Sequence, residues 1–183
     1  MLEAADDLLV EIGFAAVTIE GIAARAGVGK QTIYRWWPSK GAVLLEALDR
    51  VAATAAAFPD TGDIVADLRT TFGDIVRFQA DPDLGRPLAA LIGEAQHDAA
   101  IGPLLQERFF RPRRAPIVAR LRRAQEAGEL PAAADAETLV ELLFGALFHR
   151  LLLGSGPLDA VYASLVVDVV IEGARSGRTT WPD

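Results

Sequence analysis

The chain has 183 residues, of which 51% are hydrophobic and 23% charged, with a net charge of −7 and no cysteine. It is large enough to bury a substantial core, and its composition excludes wholesale disorder, a disulfide framework, a thiolate nucleophile and a cysteine-based zinc site. The longest stretch free of Asp, Glu, Lys and Arg runs only from Val51 to Pro59, against the roughly 18 apolar residues a membrane span needs.

Early acids (Glu3, Asp6, Asp7) stand where a secretory signal would carry a basic region, so a cytoplasmic protein without a membrane partner is expected. Apolar residues recur at three- and four-residue intervals, as in Ile64, Leu68, Phe72 and Ile75, and sustained period-two alternation is missing. The chain therefore reads as all-α. Helices are predicted over 2–12, 19–26, 30–36, 40–57, 63–80, 85–97, 100–128 with an interruption near Pro112 and Pro116, 135–153, and 158–176. The helices are short up to about Lys40 and lengthen beyond it. This divides the chain into a small head, residues 1–45, and a larger helical body, residues 46–183.

In the head, Leu9, Ile12, Phe14, Val17, Ile19, Ile22, Ala23, Ala26, Val28, Ile33 and Trp37 fall where three short helices need a shared core. Thr18 precedes an apolar-periodic run and is placed to cap it. Gly27, in "AGVG", can take a positive φ and let the next helix leave at a steep angle. These are the parts of a helix-turn-helix, whose second helix lies in the DNA major groove.

Charge supports that reading. Residues 1–50 carry five basic and seven acidic groups, yet Arg25, Lys30, Arg35 and Lys40 follow one another with no acid between Glu20 and Glu46. A local patch of this kind can neutralise phosphate even on an acidic protein. Gln31 and Thr32 are short polar groups able to reach base edges. Tyr34 and Trp36 offer a phosphate hydrogen bond and apolar contact with a sugar or thymine methyl.

The segment "TIEGIAARAGVGKQTIYRWWPSKGAVL", with "EAADDLLVEIGFAAV" before it, resembles the DNA-binding domain of the TetR family of transcriptional regulators. The resemblance implies that Thr18 caps a helix and contacts phosphate. It places Lys30, Gln31, Thr32 and Arg35 on the recognition helix, and it matches Tyr34 and Lys40 to a family tyrosine and a phosphate-gripping lysine. Three departures stand out. Gly29 replaces a usual Ser or Thr, which weakens the cap. Gln31 replaces a common glycine, and Trp36 with Trp37 replace a His or Tyr and a Phe, so base preference should differ. The basic arm that often precedes the first helix is missing before Met1, and a native start upstream is expected.

In the body, "DAETLVELLFGALFHRLLL" and "LDAVYASLVVDVVIEGA" are apolar on nearly every face, so one face of each needs a partner. A homodimer through Leu143, Leu147, Phe148, Leu151, Leu165 and Val169 is expected, in keeping with the family's four-helix dimer. Phe72, Phe78, Leu88, Leu91, Phe109 and Phe110, with Glu94, are candidates to line a largely apolar effector pocket, in the region where the family holds its ligands. Glu94 and His97 have the Glu-x-x-His spacing of a di-iron ligand pair, but no second copy exists, and neither a metal nor a cofactor is expected. His149 reads as a satisfied interface or pocket group. The arginine run Arg108, Arg111, Arg113, Arg114, Arg120, Arg122 and Arg123 reads as a solvated face.

The function expected is a homodimeric, sequence-specific DNA-binding regulator, a repressor released from a palindromic double-stranded operator by an unknown small molecule. No catalytic arrangement is visible. The alternatives are a helical-bundle enzyme and a helical interaction module that does not bind DNA.

Overall fold

The computed structural model describes residues 1–52 and 58–177. It is helical throughout, with no strand among the described residues. The helices are α1 (Leu2–Ala16), α2 (Ile19–Ala26), α3 (Lys30–Tyr34), α4 (Lys40–Ala52), α5 (Ile64–Ala80), α6 (Pro82–Glu94), α7 (Ile101–Leu105), α8 (Arg111–Glu126), α9 (Ala136–Leu153) and α10 (Ala160–Arg175), and a π-helical segment, Gln106–Phe110, joins α7 to α8. The chain forms two compact units, one of residues 1–55 with 81–111 and one of residues 56–80 with 112–183.

The first unit is built on α1 and α4, which pack on each other and on α6, while α2 rests on α1 and carries α3. Leu8, Leu9, Ile19, Ile22, Ile33, Trp37, Val43, Leu44, Leu45, Leu48, Leu88 and Leu91 are buried. The 45/46 boundary expected from sequence falls inside α4, and α6, α7 and the π segment belong to this unit by packing. The regular part of α1 stops at Gly13, which takes φ 73° and ψ 162°. Ile12, expected in the core, is 50% exposed instead. It lies in the last turn before that break, beyond the inward stripe of Ala4, Ala5, Leu8 and Leu9. The side chain of Phe14 lies outside what is described.

Helix α6 begins earlier than expected because Asp81 caps it, accepting a hydrogen bond from the Asp83 N–H at 2.8 Å, and Pro82 supplies a helical φ at the first position. The last residues of the stretch predicted over 40–57 lie beyond the described end of α4. No break follows Pro112 or Pro116, contrary to expectation. Pro112 lacks the N–H that would reach back to Arg108, and the wider π turn directly ahead accommodates such a defect without ending the helix.

In the second unit α10 packs on α5 and α9, and α5 also meets α9. One core joins Ile64, Leu68, Phe72 and Val76 of α5 to Ile117 and Leu121 of α8, Leu139, Leu143 and Leu147 of α9, and Val167 and Ile171 of α10. Phe72 stands 5.2 Å from Phe144, ring centroid to centroid, and Phe144 stacks on Phe148 at 5.8 Å. Asp135 and Asp159 cap α9 and α10 through the Thr138 and Tyr162 N–H groups.

Beside this core lies a charge cluster that sequence reading missed. Arg120 is 1% exposed and reaches the Asp67 carboxylate at 2.8 Å and Glu129 at 3.1 Å. Asp60 lies 3.0 Å from Arg120 and also accepts from Arg123 at 3.0 Å. Asp67 further accepts from the Thr61 hydroxyl at 2.7 Å, and Glu129 accepts the free N–H of Ile64 at the start of α5, at 2.7 Å. The reading of the arginine run as a solvated face is therefore corrected at Arg120, while Arg108, Arg111, Arg122 and Arg123 stay exposed as expected. Arg120 is buried, and Arg108, Arg111, Arg114, Arg122 and Arg123 pair with Glu46, Glu107, Glu141, Glu137 and Asp60. Apart from Glu107, which stands one turn before Arg111, these acids come from other helices and loops, which is why a local charge count misses them.

Candidate nucleic-acid interface

Helix α2 starts at Thr18, whose Oγ1 accepts the Gly21 N–H at 3.0 Å, as its position in sequence suggested. Thr18→Ala should cost about 1 kcal/mol of stability, measurable as a lowered urea midpoint. An unchanged midpoint would show the cap to be idle. Gly21 is small for the same reason, since a Cβ there would stand 3.2 Å from the Thr18 hydroxyl.

The turn after α2 is closed at Gly27, with φ 65° and ψ 32°. The Val28 N–H donates to the Ala23 carbonyl at 3.0 Å and the Gly27 N–H to that of Ala24 at 3.3 Å, which together form a Schellman closure. Only glycine takes this left-handed conformation readily. Gly29 then begins α3 without any side-chain cap, in line with the weak cap its residue type implies.

Helix α3 is held from beneath by Ile33, 0% exposed, and by Trp37 just beyond its end, 8% exposed. The Trp37 indole N–H donates to Glu46 of α4 at 2.8 Å, and Arg108 lies 3.5 Å from the same carboxylate. With Ile33 and Trp37 inward, Lys30, Gln31, Thr32, Tyr34, Arg35 and Trp36 all face outward. Tyr34, the last residue of α3, is 53% exposed and Trp36, in the turn that follows, is 67% exposed, an unusual display for two neighbouring aromatics. Lys40 opens α4 half-buried, next to Ser39, whose hydroxyl accepts the Ala42 N–H at 3.3 Å.

One feature of the face differs from expectation. The basic segment has no acid of its own, but the fold brings acids to it. Arg25 forks onto Glu11 at 2.6 and 2.9 Å, and Lys30 pairs with Glu20 at 2.9 Å. The hydrogen bond from Lys30 lowers the Glu20 carboxyl and raises the Lys30 ammonium from their ordinary values. Both pairs are exposed, so each is worth little and can open toward phosphate.

The other predicted site residues fall into two groups. Phe72 and Phe78 belong to the second unit, whereas Leu91, Glu94, Phe109 and Phe110 belong to the first. Phe72, Leu91 and Phe109 are buried, Phe78 and Phe110 are half-buried, and Glu94 and His97 lie exposed at the end of α6. No group of three or more metal-ligating side chains occurs among the described residues. His149 is exposed, its Nδ1 3.0 Å from the Ser155 hydroxyl.

The expected dimer face needs correcting at two positions. Leu143 and Leu147 are completely buried in their own unit's core and cannot offer side chains to a partner. The outward stripe of α9 is set one residue away, with Leu142 at 51%, Leu152 at 45% and Leu153 at 69% exposed. On α10 Leu165 and Val169 do face outward, joined by Val161 at 79%. Phe148 and Leu151 are half-buried between the two faces. A helix that is apolar all round conceals its phase, and packing alone sets which stripe goes inward.

No helix among the described residues is long and apolar enough to cross a membrane. Comparison with known proteins agrees with the architecture over nearly the whole chain. Residues 1–47 match the family described as "Bacterial regulatory proteins, tetR family", and residues 58–170 match "Tetracyclin repressor-like, C-terminal domain". The chain is 37% identical to the HTH-type transcriptional regulator YdeS of Bacillus subtilis (strain 168), over 98% of this chain and 89% of that protein. It is 33% identical to the DNA-binding transcriptional repressor TetR of Mycobacteroides abscessus, over 93% and 90% of the two chains. Among solved structures, the TetR family transcription regulator SCO0332 superposes with a TM-score of 0.80 at 38% identity, covering 94% of each chain. A helix-turn-helix closed at Gly27, an outward-facing α3 and these relatives lead to one conclusion: the chain is a DNA-binding transcriptional regulator of the TetR family and not an enzyme.

Proposed function

We propose that the protein is a cytoplasmic homodimeric repressor that holds a palindromic operator through α3 and releases it when a small molecule binds. The observation that carries the DNA part is the arrangement of α3. Ile33 and Trp37 fix the helix from below while six polar, basic and aromatic side chains stand free of the core. In this reading Thr18, Tyr34, Arg35 and Lys40 meet phosphates, Gln31, Thr32 and Trp36 meet base edges and the thymine methyl, and Lys30 leaves Glu20 for the backbone.

The outward apolar stripes of α9 and α10 support the dimer, because exposed patches of this kind mark association surfaces. Two such subunits would set their recognition helices about 34–36 Å apart, one turn of duplex. The name of the Mycobacteroides abscessus relative supports repression. Release needs an effector that binds the two conformers of the protein with different affinities.

The test is selection of duplexes from a random pool, followed by titration of the enriched sequence at several salt concentrations. Lys40→Ala should weaken binding to all sequences alike and reduce the salt slope by about 1, whereas Gln31→Ala should change which base is preferred. If Lys40→Ala leaves affinity and slope untouched, Lys40 does not contact phosphate. Leu165→Arg should convert the dimer to a monomer by sedimentation and abolish enrichment of palindromes. A dimer that survives this change assembles elsewhere.

A further inference from the structure

Lys30 opens α3, and Glu20 lies in the first turn of α2. Their ammonium and carboxylate meet at 2.9 Å across the intervening turn, with the side chains 55% and 63% exposed. The backbone fixes this meeting. Left-handed Gly27 sets the angle between the two helices, and buried Ile33 sets the rotation of α3, so Lys30 comes up beside Glu20. The helix dipole accounts for an acid in the first turn of α2. It does not account for one turned toward Lys30.

An exposed pair contributes little to folding, so its effect is felt mainly where Lys30 has another partner to choose. Lys30 and Tyr34 stand at i and i+4 and share one face of α3, and Tyr34 is exposed there. A lysine ammonium acts as a point charge, and a carboxylate beside it cancels part of the field it offers to phosphate. The head is already negative, with seven acids against five bases over residues 1–50. Among those acids, Glu20 is the one bonded to a cation of α3 itself.

We propose that Glu20 sets the affinity of the DNA-binding face, as an internal counterion that competes with operator phosphate for Lys30. The grip on DNA is thereby held below what the basic side chains would deliver alone. The inference rests on the operator reading above and adds a residue that works against binding. Glu20 acts through Lys30 and is not itself a DNA contact.

The test uses the full chain and the duplex enriched from the random pool. Glu20→Gln keeps the side chain's shape and removes its charge. It should bind about two- to fivefold tighter than the wild type at low salt. That advantage should shrink as salt is raised, because salt already screens the pair in the wild type. In a Lys30→Met background the same change should gain less, since no ammonium is left to release. Urea unfolding checks that each variant folds, and Glu20→Ala, which should show the same gain, replaces Glu20→Gln if that variant does not. Unchanged or weaker binding would overturn the assignment. So would an equal gain in the Lys30→Met background, which would mean that Glu20 simply repels DNA. If the wild type enriches no duplex, the operator reading falls and the role of Glu20 with it; an enriched duplex that Glu20→Gln binds no better sinks the role of Glu20 alone.

Discussion

Arg120→Met should cost the protein about 3–5 kcal/mol, the range for removing one partner of a buried ion pair. The loss comes from what remains. Asp67, 1% exposed, keeps its charge with only Thr61 to satisfy it, and Glu129 loses the guanidinium beside the Ile64 N–H. Urea unfolding at neutral pH measures the effect. A change below about 1 kcal/mol, the level of an exposed pair, would show the cluster to be solvated in practice.

The same cluster sets a pH dependence. Burial pushes the Asp67 carboxyl up, but hydrogen bonds from Thr61 and Arg120 outweigh this and hold it below its ordinary value of 3.8. Since the folded value is the lower one, the stability it contributes is whole above the unfolded value. It is lost as pH falls through the folded one. Burial likewise disfavours the Arg120 charge, yet its bonds to Asp67 and Glu129 raise it above its ordinary value, so Arg120 stays charged throughout that fall. Asp67→Asn should therefore flatten the acid limb of a stability–pH curve below about pH 4. An unchanged limb would assign acid sensitivity to other carboxylates.

The second large effect is expected at Ile33, the side chain pinning α3 from below. Ile33→Ala should destabilise the first unit by about 2–5 kcal/mol, through lost burial and the cavity left behind. A five-residue helix has little stability of its own, so operator affinity should fall with it. Tryptophan fluorescence during denaturation follows the change through Trp37, which is buried just after α3. Full operator binding by Ile33→Ala would mean that the turn at Gly27 and the Trp37–Glu46 bond orient α3 without the core anchor.

Much of the head could be read from its residues because its signals are local. The spacing of Ile19, Ile22 and Ala23, a hydroxyl at Thr18 and a left-handed glycine at Gly27 act within a few positions of one another, and each is where it was expected. Exposure along α3 also followed, since the buried Ile33 fixes the direction of the whole short helix. Phase was harder in α9, where leucines on nearly every side left Leu142 and Leu143 indistinguishable until packing buried one of them.

The sequence by itself determined the all-helical class, the turn chemistry of the helix-turn-helix and the polar, aromatic character of its outer face. Those depend on hydrogen bonds and periodicities that span less than about two helical turns. The tertiary structure alone decided which leucines of α9 face outward, that Arg120 is buried among Asp60, Asp67 and Glu129, and that Glu11 and Glu20 fold back onto the basic segment. Each of these depends on charge or shape met across a distance in the chain, such as the 53 positions separating Asp67 from Arg120. Local composition holds no record of such meetings.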